Sequence, residues 1–381
     1  MAPNRLTRQL EERRRQGLPV LDLTESNPTR CGFAADPEIL KSLLDPRSLI
    51  YEPDPRGLLC ARQTVCEYYA ARGVRVGPEQ VFLTTSTSEA YTYVFRLLAD
   101  PGDQVLVPQP SYPLFDFLAG INDLEVVSYP LRYDQEWRLD LAAVRDGWGP
   151  RARALMVVHP NNPTGSFVQS SELAFLADCC RQNHGALIAD EVFADYAFEP
   201  GEDRVRSHAA VSEVLTFTLS GLSKISALPQ MKLGWVVVSG PRKELQTALE
   251  RLEVIADTYL SVSAPIAHAL PALLELRKTV QPGMMDRLRS NLRWLEHATG
   301  SRREVRCLRT EGGWYTILKV PETVSDEDWA VELLAREGVL IHPGHFYDFT
   351  GDGYLVVSLL TEELAFREGM GRILACISKS S

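Results

Sequence analysis

The chain has 381 residues, of which 45% are hydrophobic and 24% charged, with a formal charge of −10. That length suggests two domains in an ordinary soluble globular protein, and the acidic balance argues against a nucleic-acid-binding surface. No apolar run approaches the roughly 20 residues of a membrane-spanning helix, and Met1-Ala2-Pro3-Asn4-Arg5 leads into a polar helix-like stretch instead of a signal core. Seven cysteines with no C-x-x-C pair read as reduced thiols, so a cytoplasmic protein is expected and no cysteine invites a metal.

In chain order, short apolar strands are expected at 81–83, 104–107, 124–127, 154–158 and 186–189, with helices such as 88–98 and 172–182 between them. Near-continuous apolar strands alternating with helices imply a mainly parallel sheet covered on both faces. Two further strands, 214–219 and 234–238, are joined by a short link without an obvious helix, which fits an antiparallel pair in a mixed sheet. After about residue 265 the texture changes to helices at 265–280 and 282–299, then strands at 316–320 and 354–358. The expected fold class is α/β, a large domain with a mainly parallel mixed sheet between helices plus a smaller α+β domain. Its expected limits are 1–48 for an amino-terminal arm and part of the small domain, 49–265 for the large domain, and 266–381 for the small carboxyl-terminal domain.

In open parallel sheets, ligands gather at the carboxyl ends of the strands, and the unusual residues of this chain lie there. After 81–83 comes Thr84-Thr85-Ser86-Thr87-Ser88-Glu89. Its hydroxyls and free helix-start N–H groups suit a phosphate, although an ordinary Ser/Thr cap is by itself the simpler account. After 104–107, Pro108-Gln109-Pro110-Ser111-Tyr112-Pro113 fixes a loop that offers Tyr112 either to a flat ring or to the core. His159-Pro160-Asn161-Asn162-Pro163-Thr164-Gly165 is a rigid turn in which an asparagine amide can donate to a phenolic oxygen, though Asn-Pro and Thr-Gly are also plain turn chemistry. Strand 186–189 delivers Asp190-Glu191 from an apolar run, and a buried acid is costly without a partner such as a protonated pyridine nitrogen. Ser220-Gly221-Leu222-Ser223-Lys224 then sets a lysine on a small-residue turn, where its amine can meet a bound carbonyl. An isolated Lys224 would read as solvated surface.

In this order the pieces resemble the fold-type-I pyridoxal-phosphate enzymes, and more closely the class I/II aminotransferases related to aspartate aminotransferase. The resemblance runs from Asn27-Pro28 to the Pro343-Gly344 turn and rests chiefly on Asn-Asn-Pro-Thr-Gly combined with the Ser-Lys turn. It implies pyridoxal 5'-phosphate held as a Schiff base on Lys224, which also shuttles the substrate proton. Asp190 would pair with the pyridine nitrogen, Asn162 would reach the phenolic oxygen, and Tyr112 would stack on the ring. Ser86, Thr87, Ser88 and Ser223 would surround the phosphate, and Asn27 and Asn162 would lie near the substrate. Tyr51 matches a tyrosine that reaches the neighbouring subunit's phosphate, which implies a homodimer.

Three positions depart from the family pattern. Lys232 stands where a phosphate-binding arginine is usual, so the charge is kept but the bidentate fork is lost. Phe193 stands where a tyrosine donates to the phenolic oxygen, leaving Tyr196 as a group that could compensate. Val356, on strand 354–358, occupies the place of the arginine that clamps a substrate carboxylate, so either another group such as Arg30 takes the carboxylate or the substrate presents none there. The expected activity is transfer of an amino group between an amino acid or amine and a 2-oxo acid. A C–S β-lyase or a decarboxylase on the same scaffold is the alternative, with a non-enzymatic ligand-sensing homologue further off. No nucleic-acid, membrane or metal partner is expected.

Overall fold

Extended segments of two to ten residues form the strands, which fall into one large sheet, one small sheet and a two-strand pair. The structure, a computed structural model, describes residues 4–380. Met1–Pro3, at the start of the expected arm, and Ser381 lie outside them. The strands are β1 (Leu21–Asp22), β2 (Val81–Thr84), β3 (Gln104–Gln109), β4 (Glu125–Asp134), β5 (Glu136–Leu139), β6 (Ala152–Val158) and β7 (Ala186–Asp190). They continue with β8 (Thr216–Gly221), β9 (Gly234–Ser239), β10 (Arg306–Cys307), β11 (Tyr315–Lys319), β12 (Val339–Leu340), β13 (His342–Pro343) and β14 (Tyr354–Ser358).

The large sheet has the order β2-β9-β8-β7-β6-β3-β4-β5. Strands β8, β7, β6, β3 and β4 run parallel, whereas β9 is antiparallel to both β8 and β2. The mixed sheet and the antiparallel pair expected from the sequence are therefore present. Every residue of β2, β7, β8 and β9 is buried, because both faces are covered. Phe82, Phe217, Val236 and Val238 pack on one face with Tyr91 and Leu252, while Val81, Trp235 and Val237 pack on the other with Tyr69 and Leu270. This is the period-two alternation of a strand, with apolar residues on both faces. Reversal of β9 has a local result: the exit of β8 and the entry of β9 share one sheet edge with the exits of β2, β3, β6 and β7.

The small sheet, β10-β11-β14-β13, is antiparallel. Its core includes Trp314, Trp329, Leu355 and Phe366. The amino-terminal segment joins this side of the molecule, with Leu21 of β1 pairing in parallel with Val339 of β12. Among the described residues no helix is long and apolar enough to cross a membrane.

Three local expectations differ. The helices expected at 265–280 and 282–299 are Ala264–Glu275 and Arg277–Thr299, with the break at Leu276. Pro282 lies in the second turn of its helix, where it forfeits one bond to the Lys278 carbonyl without ending the helix. Strand β4 runs on past 127 into a hairpin with β5. That hairpin turns at Gln135, which adopts φ +62° without the Asn-Gly or Gly residues that usually signal such a turn. The link after β8 holds a single helical turn, Leu222–Ile225, where no helix was expected.

Gly221 and Gly234 pair at the end of β8. A Cβ on Gly221 would lie 2.9 Å from both Gly234 Cα and the Leu233 carbonyl oxygen. These neighbours are backbone and cannot step aside as a side-chain tip could. Gly221→Ala is therefore expected to cost about 1–3 kcal/mol of stability, seen as a lowered midpoint in thermal unfolding. An unchanged midpoint would show that the strands can part here without penalty.

Candidate active site

The exits of β7 and β8 bring an acid and an amine to the same sheet edge. Asp190, the last residue of β7, is buried. Its Oδ2 accepts from the Tyr91 hydroxyl at 2.9 Å and its Oδ1 from the Val192 N–H at 3.1 Å. Burial pushes the Asp190 carboxyl up to about 6, against the pull of those two hydrogen bonds; Glu191 adds to the rise and Lys224 opposes it. Glu191 turns away from the site, as successive strand positions do. It accepts from the Ser207 hydroxyl at 2.8 Å, and from the His208 N–H at 2.6 Å. A further contact to His208 Nδ1 measures 2.9 Å. Although burial works against it, His208 holds the Glu191 carboxyl down at about 2. Two neighbouring acids thus have different fates, one tied into the scaffold and one facing the cleft.

Lys224 sits in the Leu222–Ile225 turn immediately after β8. Its Nζ lies 4.7 Å from the centroid of the Trp314 ring and 5.4 Å from that of Phe193. Burial lowers the amine from 10.5 to about 8, with Asp190 pulling in the other direction. The Lys224 carbonyl accepts from the Tyr196 hydroxyl at 2.7 Å. Tyr196 is fully buried, and its hydroxyl is engaged with the lysine backbone. It therefore does not stand in for the phenol that Phe193 lacks.

The turn after β6 separates two adjacent asparagines. Asn161 is absorbed by the turn: its Oδ1 accepts from Thr164 Oγ1 at 3.0 Å, and its Nδ2 donates to Ser111 Oγ at 3.3 Å. Asn162 is also buried, but its side-chain oxygen has no hydrogen-bond partner among the described residues. An orphaned polar atom at such depth is costly and marks a place where a ligand group can enter. Tyr112 is half-buried with its ring edge-on to Phe115 at 5.6 Å. Burial raises its phenol, and the Asp190 charge raises it further.

At the β2 exit, Ser86 caps the helix Thr87–Leu98 by accepting from the Glu89 N–H at 3.2 Å. Thr87 and Ser88 lie in its first turn at least partly open to solvent. The entry of β9 presses against this loop: a Cβ on Gly234 would lie 3.2 Å from the Ser86 carbonyl carbon and 3.3 Å from Thr84 Oγ1. Lys232, two positions before Gly234, is exposed with φ +52°. Ser223 occupies the Lys224 turn itself.

The remaining sequence candidates lie elsewhere or are committed to other contacts. Asn27 Oδ1 accepts from the Thr29 N–H at 3.1 Å and hydroxyl at 2.8 Å, closing its own turn. Arg30 points outward to Glu25 at 3.6 Å. Val356 is fully buried on β14 between Ile317 and His342, and β14 carries no cation. Tyr51 is 76% exposed, with Leu44, Leu49 and Ile50 exposed beside it. Sequence reasoning missed Tyr91 and Trp314. Tyr91 looked like a core residue of an amphipathic helix, and Trp314 arrives from 90 positions beyond Lys224. The one local signal for Trp314 was the Gly312-Gly313 pair ahead of it.

Residues 20–365 match the family model described as aminotransferase class I and II. The chain is 29% identical over 366 residues to the glutamate-pyruvate aminotransferase AlaA of Escherichia coli K12, covering 92% of this chain and 88% of that protein. It is 27% identical over 354 residues to an alanine aminotransferase of Mycobacterium tuberculosis H37Rv, covering 89% and 81%. Among solved structures, an aminotransferase from Escherichia coli superposes with a TM-score of 0.86 at 25% identity, covering 98% and 94%. An alanine aminotransferase from Pyrococcus furiosus shares the fold at 22% identity, with a TM-score of 0.89 and full coverage of both chains. The chain belongs to the aminotransferase class I and II family and is an aminotransferase.

Proposed function

We propose that this aminotransferase carries pyridoxal 5'-phosphate on Lys224 and moves amino groups between an amino acid and a 2-oxo acid. The observation that carries the reading is the convergence of Asp190 and Lys224 from the adjacent strands β7 and β8, while the side-chain oxygen of Asn162, in the turn after β6, has no partner among the described residues. When bound, the cofactor supplies a carbonyl that condenses with amines and a ring that takes up the electron pair left on the substrate carbon.

The chain's own residues would do the rest. Lys224, with its amine held near 8, holds the cofactor and then takes the proton from the substrate's amino-bearing carbon. Asp190 keeps a proton on the ring nitrogen, and Tyr91 holds that carboxylate in place. Asn162 meets the phenolic oxygen, Tyr112 covers the ring, and Phe193 offers only an apolar edge. Ser86, Thr87, Ser88, Ser223 and Lys232 cradle the phosphate, Lys232 acting as a point charge without a guanidinium fork. The exposed Tyr51, among exposed Leu44, Leu49 and Ile50, supports a homodimer in which it reaches the second copy's phosphate. We further propose residues 49–265 as the cofactor-binding domain, 266–381 with part of 1–48 as the small domain, and a cytoplasmic setting.

The names of the relatives make alanine, glutamate, pyruvate and 2-oxoglutarate the substrates to try first. The holoenzyme mixed with each amino acid, and with simple amines, is expected to lose its visible absorption band as the cofactor takes the amine form. Release of pyruvate with ammonia, or of carbon dioxide, without that change would replace transamination by elimination or decarboxylation.

A further inference from the structure

Trp314 is fully buried, yet its indole N–H has no hydrogen-bond partner among the described residues. It stands just before β11 of the small sheet and still reaches Lys224 on the large one, with Nζ over its ring at 4.7 Å. Several contacts stitch this turn to the segments that follow β6 and β7 of the large sheet. The Glu311 carboxylate accepts from the Phe167 N–H at 3.2 Å and from Arg204 at 3.3 Å, and its carbonyl from the Phe198 N–H at 3.0 Å. Gly312 bridges to Ala197, and a Cβ there would lie 2.4 Å from the Tyr196 carbonyl oxygen. Gly313, at φ +82°, donates its N–H to that same oxygen at 2.9 Å. Only glycines permit so close an approach and such a backbone.

The rings of Phe193 and Tyr196 then pack edge-on to Trp314, each with centroids 5.2 Å apart, at 67° and 78°. Tyr196 completes the circuit by donating to the Lys224 carbonyl. Burial pushes the Tyr196 phenol up, and the indole N–H opposes that rise from outside hydrogen-bond geometry. The polar edge of Trp314 is thus turned toward Tyr196, and its ring toward the lysine amine.

We infer that Trp314 is a positioning residue for Lys224, a cap brought by the small sheet that keeps water from the amine and fixes where it points. This rests on the proposed role of Lys224. Two effects of the cap oppose each other. Exclusion of water disfavours the ammonium, whereas the ring attracts it. Burial lowers the amine to about 8 against the pull of Asp190, and the cap contributes to that burial. The charged group acting on the amine is Asp190, from β7. Tyr91 and Tyr112 flank that carboxylate as neutral phenols, Glu191 stands behind it, and Tyr196 faces the lysine carbonyl.

The test follows the amine itself. In the full chain freed of cofactor, the rate of reductive methylation of Lys224 is measured against pH by peptide mass spectrometry. The pH dependence of kcat is measured in parallel on the holoenzyme. Trp314→Ala admits water and is expected to raise both midpoints by about one pH unit, cutting the neutral amine at pH 8 about fivefold. Trp314→Phe, which keeps a ring, is expected to titrate like the wild type. Should the alanine variant not fold, Trp314→Leu keeps water out but removes the ring, and is expected to lower the midpoint. An alanine variant that titrates like the wild type, a phenylalanine variant that shifts as far as alanine, or a leucine variant whose midpoint does not fall overturns the inference. If instead Lys224→Ala still binds cofactor covalently, it is the assignment of Lys224 that fails, and the two failures are separable.

Discussion

Lys224→Ala is expected to lower kcat for transamination by about 10⁴-fold, the upper end of what one positioned proton-transfer group supplies. The same variant should lose all cofactor that borohydride can fix to the chain. Lys224→Arg is the sharper control. Arginine keeps the cation and much of the stem but stays protonated, so it can neither hold the cofactor nor accept the substrate proton. If charge alone mattered, the arginine protein would retain activity. On the proposed roles it should be as inert as alanine, with a normal thermal midpoint. Borohydride-fixed cofactor on another lysine would move the assignment elsewhere in the chain.

Asp190→Asn is expected to have the next largest effect. Asparagine keeps an oxygen to accept from the Val192 N–H and fits the same space, so folding should survive. The ring nitrogen, however, would lose the anion that keeps it protonated. Leaving a buried cation without its partner costs about 3–5 kcal/mol, or roughly 150- to 5,000-fold in rate if the whole loss falls on the step that removes the substrate proton. Cofactor binding and its visible band should largely persist, while exchange of the substrate's α-deuterium slows to match. Equal losses in cofactor affinity and in exchange would mark Asp190 as an anchor only. The wild type carries a related sign. Because burial holds Asp190 at about 6, cofactor uptake should weaken as pH falls through 6 and the carboxylate takes up a proton.

How much of this was legible depends on where each residue gets its meaning. Asp190 and Lys224 follow apolar runs, and strand ends are where a buried polar group stands out against its neighbours. Apart from the β4–β5 hairpin at its edge, the large sheet was legible for the same reason, down to the reversed β9, because a short link cannot carry a crossover. Asn162 could not be told from Asn161 by sequence. Only the turn's own hydrogen bonds show which amide is already used. Tyr91 sits at a core-facing position of an ordinary helix, and its hydroxyl acquires a purpose only once β7 ends beneath it. The helix break at Leu276 and the turn at Gln135 carried no proline or glycine to announce them. Tyr196 was considered as a stand-in for a missing phenol, a role excluded once its hydroxyl is seen to bond the lysine backbone.

The division of the site between two sheets bears on how such an enzyme can change over generations. On the proposed reading, the groups that serve the cofactor come from strand ends of the large sheet, where glycine contacts and buried hydrogen bonds leave little freedom. The small sheet contributes Trp314 and its neighbour Tyr315, whose hydroxyl meets Ser26 at 2.7 Å. A lineage could therefore exchange small-sheet residues such as Tyr315, and with them the compound accepted, while Trp314 and the large-sheet groups around Lys224 are kept.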